Sequence, residues 1–188
     1  MLKKFLVLYP IVAITFAFAI SESKIQTVMN LKIQKITTLL HDKELEREAK
    51  QNRVYLIIDP IFDYDIMSKI SLGKKWKEFT SKQQKLFVTK YRRKLKTSYF
   101  EKLELYTNEK VLLKGVDKIK ENRIKVQSDI IGKDKTYKVI YKFYKTKGKD
   151  DWFIYDVDII GVSIIQTYRK QFLEFLKTKS IDELIDSL

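Results

Sequence analysis

A chain of 188 residues, 45% hydrophobic and 33% charged, has the apolar material for one core and the length for one domain. It contains no cysteine, which excludes disulfides, thiolate catalysis, cysteine-based zinc sites and lipid attachment through an N-terminal cysteine. The formal net charge of +14 admits nucleic acid, anionic lipid headgroups or an acidic protein as partner, against the plainer reading of lysines dispersed over a solvated surface.

Residues 1–19 have the form of a signal peptide: Lys3-Lys4, an apolar run from Phe5 to Ala17, and Ala17-Phe18-Ala19 as a small-x-small cleavage site. The run falls short of the roughly 20 apolar residues of a membrane span. Cleavage after Ala19 starts the mature domain, residues 20–188, at Ile20; a cut after Ser21 is the alternative. Either cut sends the chain out of the cytoplasm, which weighs against nucleic acid as the partner of its charge.

From Ser23 to about Leu40, Ile25, Val28, Met29, Lys32, Ile33 and Ile36 carry a helical stripe. Asp42 is placed to cap a second helix from near Lys43, which ends on the run Val54 to Ile58 before Pro60. His41, the only histidine, falls in the loop between them, with no second ligand for a metal. Ile61 to Leu72 reads as a short helix with Ile61, Phe62, Met67 and Ile70 apolar, ended by Gly73. Thr80-Ser81-Lys82-Gln83 is a capping box and opens the longest helix, to about Tyr106. Along that helix Phe87, Tyr91, Leu95, Tyr99, Leu103 and Tyr106 recur every three or four residues, which places them on one stripe.

The remainder is strand-rich. Val111 and Leu113 alternate in a first strand, Ile124, Val126, Ser128 and Ile130 in a second, and Tyr137, Val139, Tyr141 and Phe143 in a third. In a fourth, period two puts Phe153, Tyr155, Val157 and Ile159 on the inward face and Asp156 and Asp158 opposite. Gly161 permits a sharp turn, and Val162 to Lys177 then reads as an amphipathic helix bearing Ile164, Ile165, Tyr168, Phe172 and Phe175. Ser180-Ile181-Asp182-Glu183 is a second capping box. The fold class is therefore α+β, with a four-stranded antiparallel meander, N-terminal helices, a long central helix and C-terminal helices.

No glycine-rich phosphate loop, nucleophile elbow or paired-histidine metal motif is present. Asp63 with Asp65, and Asp156 with Asp158, are the available carboxylate pairs, and the second is better suited to meeting lysines than to catalysis. A link from Tyr155-Asp156 to Arg169 is expected to tie the last strand to its helix. The chain is not expected to be an enzyme, and no cofactor or metal site is expected.

Three ordered motifs carry a family resemblance over roughly residues 60 to 188. They are Phe62-Asp63-Tyr64 with Leu72-Gly73 and Trp76; Thr80-x-x-Gln83-Gln84-x-x-Phe87 followed by Leu95 and Tyr99; and Tyr155-Asp156-Val157, Gly161-Val162-Ser163 and Tyr168-Arg169-x-Gln171-Phe172. Together they resemble the MlaC family of periplasmic phospholipid-binding proteins, also called toluene-tolerance auxiliary proteins. The pattern departs at Ile160 and Thr167, where an acidic residue and an asparagine are expected.

The resemblance implies a curved sheet and helices enclosing a deep apolar pocket for phospholipid acyl chains. On that basis the expected pocket residues are Phe62 and Met67; Phe87, Tyr91, Leu95, Tyr99 and Leu103 of the central helix; and Val139, Tyr141, Phe143, Tyr155, Val157 and Ile159 of the sheet. Val162, Ile165, Tyr168 and Phe172 complete the set from the last long helix. It further implies a periplasmic shuttle that helps maintain outer-membrane lipid asymmetry. Its partners would be an inner-membrane ABC transporter with a lipid-binding periplasmic subunit and an outer-membrane lipoprotein complex. The competing readings are a secreted NTF2-like or cystatin-like small-molecule-binding protein or enzyme, and a basic adhesion or nucleic-acid module. The first needs a polar catalytic group on the inward faces, and the second needs charge segregated to one side.

Overall fold

A computed structural model describes residues 20–104 and 109–188. The signal-peptide expectation for residues 1–19 and the expected inward position of Tyr106 lie outside the described residues. Helices α1 (Ile25–His41), α2 (Arg47–Ile58), α3 (Tyr64–Leu72) and α4 (Ser81–Leu103) precede the sheet, and α5 (Ile164–Phe175) and α6 (Ile181–Asp186) follow it. The strands are β1 (Lys110–Lys120), β2 (Arg123–Ile131), β3 (Thr136–Lys145), β4 (Trp152–Ile159) and β5 (Val162–Ser163). They pair in sequence order, each antiparallel to the next.

The sheet thus has five strands, not the expected four. Val162 and Ser163, expected to begin the last long helix, pair instead with Ile159 and Asp158. The intervening turn holds Ile160 and Gly161 at φ of 54° and 78°. A two-residue hairpin closed by a type I′ turn requires positive φ at both central positions, a twist that matches the flanking strands. Glycine accepts this freely, whereas a β-branched side chain meets its own backbone there. Ile160 is 61% exposed, so it gains little packing in return. Ile160→Asn is expected to stabilise the protein by about 1 kcal/mol, since asparagine tolerates the left-handed region. Urea denaturation checks this; an unchanged or lower midpoint would place the strain elsewhere.

Both expected capping boxes form. The hydroxyls of Thr80 and Ser180 accept from the backbone N–H of Gln83 and Glu183, whose side chains accept in return from the cap N–H groups. Asp42 does not cap α2: it ends α1, and its carboxylate accepts from the N–H of Glu44, two residues on, in a tight turn. Helix α2 consequently starts later, at Arg47. Asp63 caps α3 by accepting from the N–H of Ile66.

Two short pairings fasten the N-terminal half to β4. The Trp152 N–H donates to the Ile20 carbonyl at 3.0 Å, and the Asp63 N–H donates to the Ile154 carbonyl at 3.0 Å. Ile20 is buried with the core and bridges Trp152, so β4 is covered along this edge as well as by β5.

The phase of β4 differs from the expectation. Lys142 of β3 pairs with Asp156, but the next residue, Phe143, pairs with Ile154, so Tyr155 has no partner of its own. This is a β-bulge, and one extra residue reverses which side every preceding side chain takes. Trp152 and Ile154 therefore point inward ahead of the bulge, and Val157 and Ile159 after it. Phe153 and Tyr155 fall on the outer face with Tyr144, their rings 6.4 and 6.2 Å from it. The Arg123 guanidinium lies over Tyr144 and Tyr155, and the Tyr144 hydroxyl donates to the Asp63 carboxylate.

Asp156, just past the bulge, is almost fully buried. Its carboxylate accepts from Lys142 Nζ at 2.9 Å, Ser163 Oγ at 2.7 Å and the Ile165 N–H at 3.2 Å. It thus compensates a lysine and satisfies a free N–H in the first turn of α5 at once. Lys142 also reaches Asp158 at 3.0 Å, so this carboxylate pair serves a lysine as expected. The expected Asp156–Arg169 link is not made. The Arg169 side chain lies instead over Gly73, where a Cβ would meet its Nη2 at 2.9 Å. Gly73 has a φ of 56°, so a side chain there is opposed by both space and backbone.

Candidate functional site

The long helix α4 decides where the molecule is solid and where it is hollow. Its 23 residues span about 34 Å at 1.5 Å per residue. The first half of its apolar stripe enters a closed aromatic cluster. Phe87 and Tyr91 pack on Phe172 at ring separations of 5.4 and 5.2 Å, Tyr168 lies 5.1 Å from Tyr91, and Phe79 caps Phe87 at 5.7 Å. Tyr91 is fully buried and its hydroxyl is shared with Ser71 Oγ at 2.9 Å. Burial pushes its pKa far above the ordinary tyrosine range.

The second half of the stripe, Leu95, Tyr99 and Leu103, faces a cavity of about 260 Å³. Across from it stand Met29, Ile33, Ile36 and Leu40 of α1, and Ile61, Phe62, Tyr64 and Met67 at the start of α3. The sheet supplies the floor through Val111, Ile130, Val139, Tyr141, Ile154, Val157 and Ile159. Ile58 and Ile164 complete the apolar wall, and the polar side chains are Lys32, Thr37, His41, Lys96, Lys102 and Glu109. Of these, His41 and Lys102 are exposed, so the mouth lies at the C-terminal ends of α1 and α4. His41 is thus the last residue of a helix rather than a loop residue.

The residues expected in a pocket divide accordingly. Phe62, Met67, Leu95, Tyr99, Leu103, Val139, Tyr141, Val157 and Ile159 all line the cavity. Phe87, Tyr91, Ile165, Tyr168 and Phe172 instead pack in the solid aromatic end of the molecule, because the half of α4 they meet is roofed by α5. Phe143 is fully buried in the core, Tyr155 is turned outward by the bulge, and Val162 is 59% exposed in β5. The largest omission is α1. Its stripe of Met29, Ile33 and Ile36 is readable at helical spacing, but spacing names a helix face and not what that face meets.

A polar tie closes one side of the cavity. Asp59, between α2 and α3, pairs with Lys96 Nζ at 2.9 Å and with Arg92, and accepts from the Tyr64 hydroxyl at 3.0 Å. Burial acts against ionisation of Asp59, but the hydrogen bonds from Lys96 and Arg92 outweigh it and hold its pKa below the usual value. A depressed carboxyl contributes stability that is fully present above the unfolded pKa of about 3.9 and is lost as pH falls through the folded value. The stability gap between wild type and Asp59→Asn is therefore expected to be constant from neutral pH to about pH 4, then to close. Thermal melts across that range check this, and a gap that persists into stronger acid would refute an ionic tie.

An antiparallel sheet covered on one side by helices, with an apolar hollow opening between α1, α4 and the sheet, defines an α+β protein with a built-in apolar cavity. The sequence carries the assignment further: the family model for the MlaC protein matches residues 31–188. The chain belongs to the MlaC family. Among solved structures it is similar to a phospholipid-binding protein from Ralstonia solanacearum, determined in complex with a phospholipid, at a TM-score of 0.72 and 21% identity. The match covers 86% of this chain and 92% of that one, and at this identity it speaks for the fold. No curated protein matches the chain.

Proposed function

We propose that the chain is a periplasmic phospholipid carrier whose cavity takes the lipid's acyl chains. The observation that carries this reading is the cavity itself, walled by aliphatic and aromatic side chains in a member of the MlaC family. A methylene taken out of water is worth about 0.8 kcal/mol, so a lipid does not leave a bilayer unassisted. Moving it from bilayer to apolar cavity is near neutral, and the cavity needs shape and dryness rather than specific hydrogen bonds. A carrier of this kind has no chemistry of its own, and among the described residues the lining is chiefly aliphatic and aromatic.

In this reading residues 1–19 are a cleaved signal peptide and residues 20–188 one lipid-binding domain. Support for the first cut comes from Ile20, which is buried and paired to Trp152 and is retained by cleavage after Ala19 but lost by cleavage after Ser21. Among the described residues no helix is long and apolar enough to cross a membrane. Direction of movement comes from partners: an inner-membrane ABC transporter with its lipid-binding periplasmic subunit, and an outer-membrane lipoprotein complex. Such a system would maintain the lipid asymmetry of the outer membrane.

The test is mass spectrometry of lipid extracted from protein purified without detergent. A phospholipid close to one per chain is expected. Protein that carries no lipid and takes none from vesicles would overturn the proposal.

A further inference from the structure

Inside the carrier reading, the charges on the cavity wall are unbalanced. Three lysines line it, Lys32, Lys96 and Lys102, against one acid, Glu109. Lys96 is answered by Asp59. Lys32 and Lys102 form no ion pair among the described residues, and what sets them apart from the other unpaired cations is their place on an apolar wall. Lys32 Nζ donates once, to the Ile57 carbonyl at 2.6 Å, which leaves two of its three N–H groups unused. Lys102 has a long contact to the Ser98 carbonyl at 3.5 Å and stands over the Tyr99 ring at 5.5 Å.

Capping the end of α2 explains one hydrogen bond of Lys32 but not its position on an apolar wall. Burial lowers the pKa of Lys32, and the neighbouring charge of Lys35 lowers it further, so the ammonium stands in surroundings that lack an anion. Beside Lys32, which is partly withdrawn from bulk water, an anionic group gains charge-assisted hydrogen bonds, and Lys102 at the exposed mouth adds its attraction. A zwitterionic headgroup brings its own cation, which the two lysines repel.

We propose that Lys32 and Lys102 receive the anionic group of the cargo, so that the cavity selects lipids of net negative charge over zwitterionic ones of the same chain length. A phosphodiester and a fatty-acid carboxylate share this chemistry. The inference rests on the carrier reading and goes beyond it in naming the class of lipid.

The test offers the purified protein two sets of phosphatidylcholine vesicles. One carries equal amounts of phosphatidylglycerol and phosphatidylethanolamine with matched acyl chains; the other carries oleate and oleyl alcohol. Protein is re-isolated and its bound lipids are quantified by mass spectrometry, so the ratio within each set is read independently of total uptake. Wild type is expected to favour phosphatidylglycerol by about tenfold. The double variant Lys32→Met, Lys102→Met should bring that ratio to near one, while Lys32→Arg with Lys102→Arg should keep it. If Lys32→Met does not fold, Lys102→Met alone reads the same ratio from an exposed position and should lower it severalfold. A preference in the first set only assigns the site to phosphodiesters; a preference in both assigns it to anionic headgroups in general. A wild-type ratio near one, or a ratio untouched by the double variant, overturns the proposal while the carrier reading stands. Absence of any bound lipid overturns both.

Discussion

Phe87→Ala is expected to cost about 3–5 kcal/mol of folding stability, the range for deleting a large aromatic from a packed interior. Phe87 is fully buried and its ring meets Phe79, Tyr91 and Phe172 at 5.4 to 5.7 Å, so its loss leaves a void between α4, α5 and the segment that joins α3 to α4. Leu103 lies on the same stripe of α4, four turns further along, half-buried at the cavity mouth. Its truncation to alanine is expected to cost about 1 kcal/mol, because part of its surface already lacks packed neighbours. Urea melts of the two variants measure the contrast. Equal losses would mean that α4 is packed alike along its length, with no hollow under its second half.

Val157→Asp is expected to leave a folded protein with its lipid content lowered at least tenfold. Val157 is 7% exposed, lies after the bulge and stands opposite Tyr141 in register, on the cavity floor. A carboxylate there stays hydrated only while the cavity is empty. Seating acyl chains against it strips that water at a cost of several kcal/mol, and each 1.4 kcal/mol is a factor of ten in occupancy. Circular dichroism together with extracted lipid per mole of protein tests this. A well-folded variant with a full lipid complement would remove Val157 from the lipid-facing wall. A variant that fails to accumulate would show that this part of β4 is sealed core, where an unpaired charge exceeds the margin of stability.

Much of the fold was legible because short-range rules decide it. Capping boxes at Thr80 and Ser180, helical spacing from Phe87 to Leu103 and alternation from Ile124 to Phe143 each follow from local geometry and recur in the structure. The cavity was legible only in halves. Tyr99 and Phe172 carry the same pattern of an aromatic at helical spacing, yet one faces a hollow and the other a filled interior. What separates them is the reach of α5 over α4, a long-range fact with no local signature. The contribution of α1 was missed for the same reason, as its apolar face was visible but its opposite number was not. Asp42 shows a further limit: a short acidic side chain serves a turn as readily as a helix cap, and the residue type does not say which.

The unpaired Tyr155 gives β4 the equivalent of two reading frames. Upstream, even-numbered positions face inward, Trp152 in the core and Ile154 at the cavity; downstream, odd-numbered Val157 and Ile159 floor the cavity. Were Tyr155 instead to pair with Phe143 in an unbroken ladder, Tyr155 and Phe153 would turn inward in place of Ile154 and Trp152. The strand would then exchange its dry filling for the two aromatics it now shows outside, Phe153 and Tyr155, and leave Arg123 and Tyr144 without them. A strand that must be both ballast and vessel changes its reading frame at a single supernumerary residue, and so keeps the aliphatic Ile154, Val157 and Ile159 on the inner face while Phe153 and Tyr155 stay outside.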